Sequence, residues 1–175
     1  MMEIRKANKE DLGCIEKIYE RIHDEEEKGT ITTGWLRNIY PTGKTAEAAL
    51  ASDDLFVMIE EGEIVAVAVI NQIQVEEYND AAWKHHADDS EVMVLHALAV
   101  DPLHKHQGYG KKFAAFYEEY ARQHHCTALR IDTNVRNLGA RKLYRTLGYE
   151  EIGIVPCVFN GIPDVQLVCL EKYLG

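Results

Sequence analysis

The stretch Val92–Gly110, with the sequence VMVLHALAVDPLHKHQGYG, decides the fold of this chain. Its first nine residues are mostly apolar and lead directly into a turn rich in glycine and basic residues. From Lys111 to Arg122 apolar side chains recur at helical spacing, which predicts an amphipathic helix. Gly108 and Gly110 let the backbone approach a ligand closely, and free N–H groups at a helix start attract an anion. The stretch therefore predicts a buried strand followed by a phosphate-binding turn.

Two glycines at this spacing are a weak signal alone, because they also permit tight packing at a turn. The sequence contains neither the Walker phosphate-binding motif nor a complete G-x-G-x-x-G followed by an acidic residue about 20 positions later. These two nucleotide-binding signatures are therefore excluded, and a narrower assignment needs residues outside the turn.

A longer set of residues supports a narrower assignment. Leu95–Pro102 reads LHALAVDP, Lys105–Gly110 reads KHQGYG, and Asn137, Ala140, Leu143-Tyr144 and Gly148-Tyr149 follow. Together they resemble the acetyl-coenzyme A site of the GNAT superfamily of N-acetyltransferases, closely so over residues 92 to 150. In that family Gln or Arg usually stands where this chain has Lys105, so the role of the Lys105 side chain stays open.

The resemblance implies a fold and an activity. The fold is α/β: a GNAT-like mixed, mostly antiparallel twisted sheet of six to seven strands, with a central parallel splayed pair and helices on both faces. We expect one acetyltransferase domain over residues 1–175. The implied activity is transfer of an acetyl group from acetyl-CoA, a co-substrate, to the primary amine of a small molecule, by direct attack in a ternary complex. The alternatives are a protein or peptide amine as acceptor, or a non-catalytic acyl-CoA sensor.

The resemblance also implies which residues bind the cofactor. If a bulge separates the LHALAV strand from its neighbour, the N–H groups of Leu98 and Val100 would hold the acetyl carbonyl and the pantetheine. Asn137 is assigned to a hydrogen bond with the pantetheine arm. The expected cofactor-binding residues are Leu98, Ala99, Val100, Lys105, His106, Gln107, Gly108, Tyr109, Gly110, Lys111, Asn137, Ala140 and Tyr144.

Two residues are candidates for catalysis. The resemblance assigns Tyr144 to protonating the departing thiolate, and a phenol with a pKa near 10 is protonated at neutral pH. A base is needed because only about one alkyl amine in a few thousand is deprotonated at pH 7. His96 interrupts an apolar strand, and the resemblance makes it the candidate base, since some amine-acetylating members of the family have a histidine at the matching place. The alternative is that His96 is a hydrogen-bonded structural residue. Glu91, Asp132 and water are the alternative bases.

The acceptor side is less defined by the sequence. Trp35, Tyr78 and Trp83 are the expected substrate-binding residues, and Tyr40 is a further candidate. The alternative for Trp35 and Tyr40 is that they only pack the first helix on the sheet. Residues Thr32–Ala51 predict two short helices broken at Pro41 and Gly43, and Glu76–Ser90 predicts an irregular polar loop.

Composition limits the partners. With 19 Lys and Arg against 29 Asp and Glu, the net charge is −10, which argues against nucleic acid and favours a cationic amine. No apolar run reaches membrane length and no signal peptide is recognised, so we expect a cytoplasmic protein with reduced cysteines and no membrane partner. The neighbouring histidines are poorly spaced for a metal, and no metal is expected. A homodimer is left open.

The remaining elements follow from periodicity and turn signals. Asn160-Gly161 is a turn signal in the C-terminal hairpin, and Pro163 nearby predicts that the loop is longer than two residues. Gly148 is expected to end the last helix. The other predicted elements are strands at Glu3–Lys6, Leu55–Glu60, Ile64–Gln74, Ala128–Asp132, Glu151–Phe159 and Asp164–Glu171, and helices from Asn8 or Lys9 and over Asn137–Leu147.

Overall fold

The computed structural model describes residues 1–175, which form a single seven-stranded sheet with helices on both faces. In chain order the elements are β1 (Met2–Lys6), α1 (Leu12–Glu27), α2 (Gly43–Ala51), β2 (Leu55–Glu60), β3 (Glu63–Asn71), β4 (Val92–Val100), α3 (Tyr109–Gln123), β5 (Ala128–Asn134), α4 (Leu138–Thr146), β6 (Glu150–Phe159) and β7 (Ile162–Tyr173). The strands are ordered β1-β2-β3-β4-β5-β7-β6. Neighbouring strands are antiparallel except β4 and β5, which are parallel. The predicted fold class is confirmed.

Each face of the sheet buries its own apolar residues. On one face α3 and α4 cover the sheet, with Phe113 and Tyr117 fully buried. On the other face α1 and α2 cover β2 and β3, while the segment around Tyr78 covers β4, β5 and β7. None of the helices has the length and apolar character needed to cross a membrane.

The centre of the sheet opens because β4 is bulged. Val69 pairs with His96 and Val67 pairs with Ala99, so two residues of β4 lie opposite one residue of β3. One of them, Ala97, has a φ of 48°. Such a bulge bends its strand and interrupts pairing. Parallel pairing of β4 with β5 accordingly ends at Leu95 and Ile131, and the expected bulge and splayed pair are both present.

The segment before α2 differs from its prediction. Residues 32–40 form no helix; they make a turn closed by a bridge between Leu36 and Tyr40. The Glu26 carboxylate accepts the N–H groups of Thr33 at 2.7 Å and Gly34 at 3.0 Å. A glutamate of α1, seven residues before Thr33, thus satisfies amides that a helix would otherwise use, and only the piece after Pro41 is helical.

The C-terminal hairpin is tighter than predicted. Its turn has two residues, Asn160 and Gly161, with φ of 52° and 81°. Pro163 does not lengthen the turn, because it lies inside β7. There Ile162 pairs with Phe159 and Val165 pairs with Cys157, so two residues of β7 lie opposite one residue of β6 and form a bulge. Proline is tolerated at such a bulge because the ladder bond that needs its N–H is already interrupted.

Candidate active site

The bend before α3 presents unpaired amides. Gly108 is the N-cap residue, with a φ of 77°, and the first helical bond runs from Lys112 N–H to the Gly108 carbonyl over 3.1 Å. The amides before Lys112 have no helical acceptor, as at any helix start. Residues 105–108 and Lys111 are exposed, which leaves this end of the helix open to an anion.

The second glycine of the bend has a packing role. A Cβ on Gly110 would lie 3.3 Å from Leu143 Cδ2 and 4.0 Å from Val100 Cγ2. Gly110 therefore lets α3 approach α4 and the end of β4. Tyr109 is buried, and its hydroxyl donates to Gln107 Oε1 over 3.2 Å. The bend is thus packed against the end of β4 and against α4.

A cavity of about 270 Å³ occupies that gap. Towards α4 it is lined by Leu98, Asn137, Ala140 and Tyr144, and towards α2 by Thr45 and Ala49. The 33–40 turn and the β6–β7 hairpin close its far side. The remaining lining residues are Thr33, Gly34, Trp35, Tyr40, Val69, Asn71, Ile73, Val75, Leu95, His96, Ala97, Asp132, Thr133, Asn134, Phe159, Asn160, Ile162, Val165 and Leu167.

Tyr144 reaches the cavity from the α4 face. The residue is 5% exposed, and its hydroxyl makes no hydrogen bond within the protein. Burial, with a smaller contribution from the charge of Asp132, raises the pKa of Tyr144 well above its usual value. The phenol therefore stays protonated and its proton has no protein acceptor, which is the state a proton donor requires.

His96 lies on the opposite face of β4, held by a chain of side chains. Asn71 Nδ2 donates to Asp54 Oδ2 at 2.9 Å, so Asn71 Oδ1 faces His96 Nε2 at 2.8 Å. Because an amide oxygen only accepts, a neutral His96 carries its proton on Nε2 and keeps a lone pair on Nδ1. Burial lowers the pKa of His96 to about 4, so the ring is neutral at pH 7.

Asp132 shares this face on the neighbouring strand. Its Oδ2 accepts the hydroxyl of Tyr78 at 2.6 Å, and Oδ1 makes no hydrogen bond. Burial raises the pKa of Asp132 to about 6, against the opposing effect of the Tyr78 hydrogen bond. The gap thus has a proton donor on one side and two proton acceptors on the other.

The structure brings together some of the predicted residues. Tyr144, His96, Leu98, Asn137, Ala140 and Trp35 line the cavity. Asn137 also caps α4, its Oδ1 accepting Ala140 N–H at 3.2 Å. The side chains of Ala99 and Val100 pack against the helices on the two faces instead.

Two predicted acceptor residues lie elsewhere. Tyr78 and Trp83 line a separate depression, together with Glu91. Trp83 Nε1 donates to the Tyr78 carbonyl at 2.9 Å, and its ring lies 4.3 Å from the Arg130 guanidinium. The structure therefore gives Tyr78 an indirect relation to the cavity, through Asp132, and gives Trp83 none.

Sequence reasoning missed part of the lining. Phe159 and Asn160 close the acceptor side beside the expected Tyr40, and Asn71 orients His96. The Asn160-Gly161 turn signal marked the hairpin tip, but nothing in the sequence indicated that this tip approaches the 33–40 turn. In the structure a Cβ on Gly161 would lie 3.2 Å from Ile39 Cγ2.

Comparison with known proteins identifies the family. The model of the Acetyltransferase (GNAT) family matches residues 15–149, and the chain belongs to this family. A search of curated protein sequences finds no significant match.

Solved structures share the whole fold at low sequence identity. A GNAT family acetyltransferase from Streptococcus agalactiae 2603 matches with a TM-score of 0.81 and 21% identity, over 98% of this chain and 95% of that one. The structure of yncA from Salmonella typhimurium, solved with its cofactor acetyl-CoA, matches at 0.70 and 18%, over 99% and 94%. The ribosomal-protein-S18-alanine N-acetyltransferase from Escherichia coli matches at 0.68 and 17%, over 100% and 95%. At these identities the likeness shows the fold alone.

Proposed function

We propose that this protein transfers the acetyl group of acetyl-CoA to the primary amine of a small molecule, by direct attack within a ternary complex. The observation that carries this proposal is the gap between β4 and β5. The end of β4 beyond the gap lies against the bend before α3, since a Cβ on Gly110 would be 4.0 Å from Val100 Cγ2. The cavity in the gap has Tyr144 on one side and His96 and Asp132 on the other.

The binding groups fit the cofactor from end to end. The amides at Gly108, with Lys105 and Lys111 beside them, suit a diphosphate. Beyond Leu95, the edge of β4 that faces β5 has no partner strand, so its backbone groups are free to pair with the extended pantetheine arm. The side-chain nitrogen of Asn137 is available as well, because only its oxygen is used in the cap. The structure of yncA, which shares this fold and was solved with its cofactor acetyl-CoA, supports acetyl-CoA as the cofactor.

The chemistry then follows from the groups around the cavity. Acetyl-CoA supplies the thioester. The amine nitrogen forms a bond to the acetyl carbon while the carbon–sulfur bond breaks, and the Tyr144 hydroxyl gives its proton to the departing sulfur. The proton lost by the amine goes to Asp132 or to Nδ1 of His96. Asp132 is better matched in basicity, since a base with a pKa near the working pH is most efficient.

The closed acceptor side favours a small molecule over a protein amine. The 33–40 turn and the β6–β7 hairpin approach each other, with a Cβ on Gly161 3.2 Å from Ile39 Cγ2, and this contact narrows the space available to an extended peptide. The sensor alternative is weakened by the presence of an unpaired proton donor and two proton acceptors in the same gap.

A thiol-release assay with acetyl-CoA and a broad panel of amines tests the proposal. We expect amine-dependent release of CoA with at least one small amine, and its loss in Tyr144→Phe. Tight acetyl-CoA binding without turnover on any amine would instead indicate a sensor.

A further inference from the structure

The acceptor part of the cavity has no positively charged side chain. Of the 25 residues that line the cavity, none is lysine or arginine, and Asp132 is the one carboxylate. His96 is neutral at pH 7 because burial lowers its pKa to about 4. Any anionic group on an acceptor would therefore lie near Asp132 without a counter-charge.

Two arginines that flank the cavity in sequence are paired elsewhere, and a third, Arg136, is exposed and does not line the cavity. Arg37, on the 33–40 turn, donates through Nε to Glu27 at 2.8 Å and also binds Asp24, both on α1. Arg141, next to the lining residue Ala140, donates to the two oxygens of Glu151 at 2.9 and 2.8 Å. Arg37 and Arg141 are therefore each held in an ion pair outside the cavity.

The walls of the acceptor part are aromatic and aliphatic. Trp35 and Tyr40 pack edge to face with ring centres 6.2 Å apart, and Phe159 lies across from them on the hairpin. Val69, Ile73, Ile162 and Val165 supply most of the remaining surface. Apart from Asp132 and His96, the polar side chains of the lining are amides and hydroxyls, which suit uncharged atoms.

From this lining, and resting on the proposed acetyl transfer, we propose that the acceptor is a compact primary monoamine with an aromatic or branched aliphatic body and no anionic group. The ammonium enters attracted by Asp132, and its apolar body packs against Trp35 and Phe159. Amino acids are excluded by the carboxylate next to the amine, since an unpaired buried charge is strongly disfavoured. Polyamines are excluded because their second ammonium would be buried against apolar walls.

A matched pair of amines tests the proposal directly. We expect kcat/KM for 2-phenylethylamine to exceed that for L-phenylalanine, which differs only by the carboxylate, by about 100-fold or more, the size expected for an unpaired buried charge. Spermidine and a peptide with a free N-terminal alanine should be similarly poor. Comparable rates for phenylalanine, spermidine or the peptide would overturn the proposal while leaving acetyl transfer intact. No CoA release with any amine would instead refute the proposed function.

A charge added at the rim gives a second test. Ile73 lines the cavity and is 61% exposed, so Ile73→Lys is expected to fold normally. The new ammonium should reduce the preference for phenylethylamine over phenylalanine by about tenfold, the effect of one partly solvated ion pair. Ile154→Lys, at a 49% exposed site on β6 outside the cavity, is the matched control and should leave the ratio unchanged. Equal ratios in the two variants would show that lining charge does not select the acceptor.

Discussion

The hydroxyl of Tyr78 donates a hydrogen bond to Oδ2 of Asp132 over 2.6 Å. Tyr78 belongs to the segment between β3 and β4 and is buried below the cavity, whereas Asp132 lies near the end of β5 in the cavity wall. The bond fixes one carboxylate oxygen and leaves the other facing the proposed acceptor. Despite this bond, burial raises the pKa of Asp132 to about 6, within reach of neutral pH.

The pH dependence of kcat should therefore report Asp132. At saturating amine, kcat should rise tenfold per pH unit below about pH 6 and level above it, because only the ionised carboxylate accepts a proton. Asp132→Asn keeps an acceptor for Tyr78 and should lower kcat by about 10²–10⁴-fold. An acid limb near pH 4 that persists in Asp132→Asn and disappears in His96→Gln would assign the base to His96 instead.

The same carboxylate should influence stability with a defined sign. Its pKa is higher in the folded than in the unfolded chain, so between about pH 4 and pH 6 the folded state binds more protons, and this group makes stability fall as pH rises. Asp132→Asn should therefore be more stable than the parent at pH 7.5, by roughly 1–3 kcal/mol, and similar to it at pH 4.

Urea unfolding at the two pH values measures this difference. His96 acts with the opposite sign, since its pKa is lowered on folding, but it is present in both proteins and cancels in the comparison. Asp80→Asn, at an exposed aspartate, serves as the control and should show no such pH-dependent gain.

Removing one hydroxyl should separate catalysis from binding. Tyr144 makes no hydrogen bond within the protein, so Tyr144→Phe should leave the free energy of unfolding unchanged and acetyl-CoA affinity within about twofold. The same change should lower kcat by about 10²-fold or more. Tyr149→Phe is the matched control, since that ring packs edge to face against Tyr144 at 5.7 Å and its hydroxyl contacts Glu118. Calorimetric titration of acetyl-CoA and thiol release measure the two effects; equal losses in both variants would assign Tyr144 to packing.

The backbone of the bend should be sensitive to a single methyl group. Gly108 has a φ of 77°, so Gly108→Ala should destabilise the protein by about 1–2 kcal/mol and weaken acetyl-CoA binding as the amides reorient. Gly13→Ala, where a Cβ meets nothing within 4 Å on α1, should stabilise by about 0.5–1 kcal/mol without changing affinity. Unchanged acetyl-CoA affinity in Gly108→Ala would show that the bend does not hold the cofactor.

The two tryptophans should respond differently to truncation. Trp83→Ala removes the ring packed on Arg130 and should lower stability by about 2–3 kcal/mol while leaving the KM for an amine unchanged. Trp35→Ala enlarges the cavity and should raise that KM. Thermal unfolding and steady-state kinetics measure both, and a raised KM in Trp83→Ala would place its ring in the path of the acceptor.

Local sequence signals were sufficient for the central elements and insufficient for the acceptor side. The apolar run Val92–Val100 has the same bounds as β4, because strand and turn signals there agree. The turn at residues 32–40 depends on Glu26, and the position of Trp83 depends on Arg130, both of which are tertiary contacts. The sequence predicted Trp35 on a short helix and Trp83 in an irregular loop, and neither prediction indicated which ring reaches the cavity. Only packing determines which of them reaches the cavity.

The brevity of the parallel pairing has a consequence for the behaviour of the sheet as a whole. Strands β1–β4 and β5–β7 are joined across the sheet by four residue pairs alone, from Val92 with Ala128 to Leu95 with Ile131. A molecule lying in the gap would touch both halves and restrict their relative motion. Occupancy should therefore raise the melting temperature and slow amide hydrogen exchange at Ala97 and Thr133 together, although these residues lie on different strands. The proposed opening for substrates therefore lies beside the shortest strand pairing of the sheet.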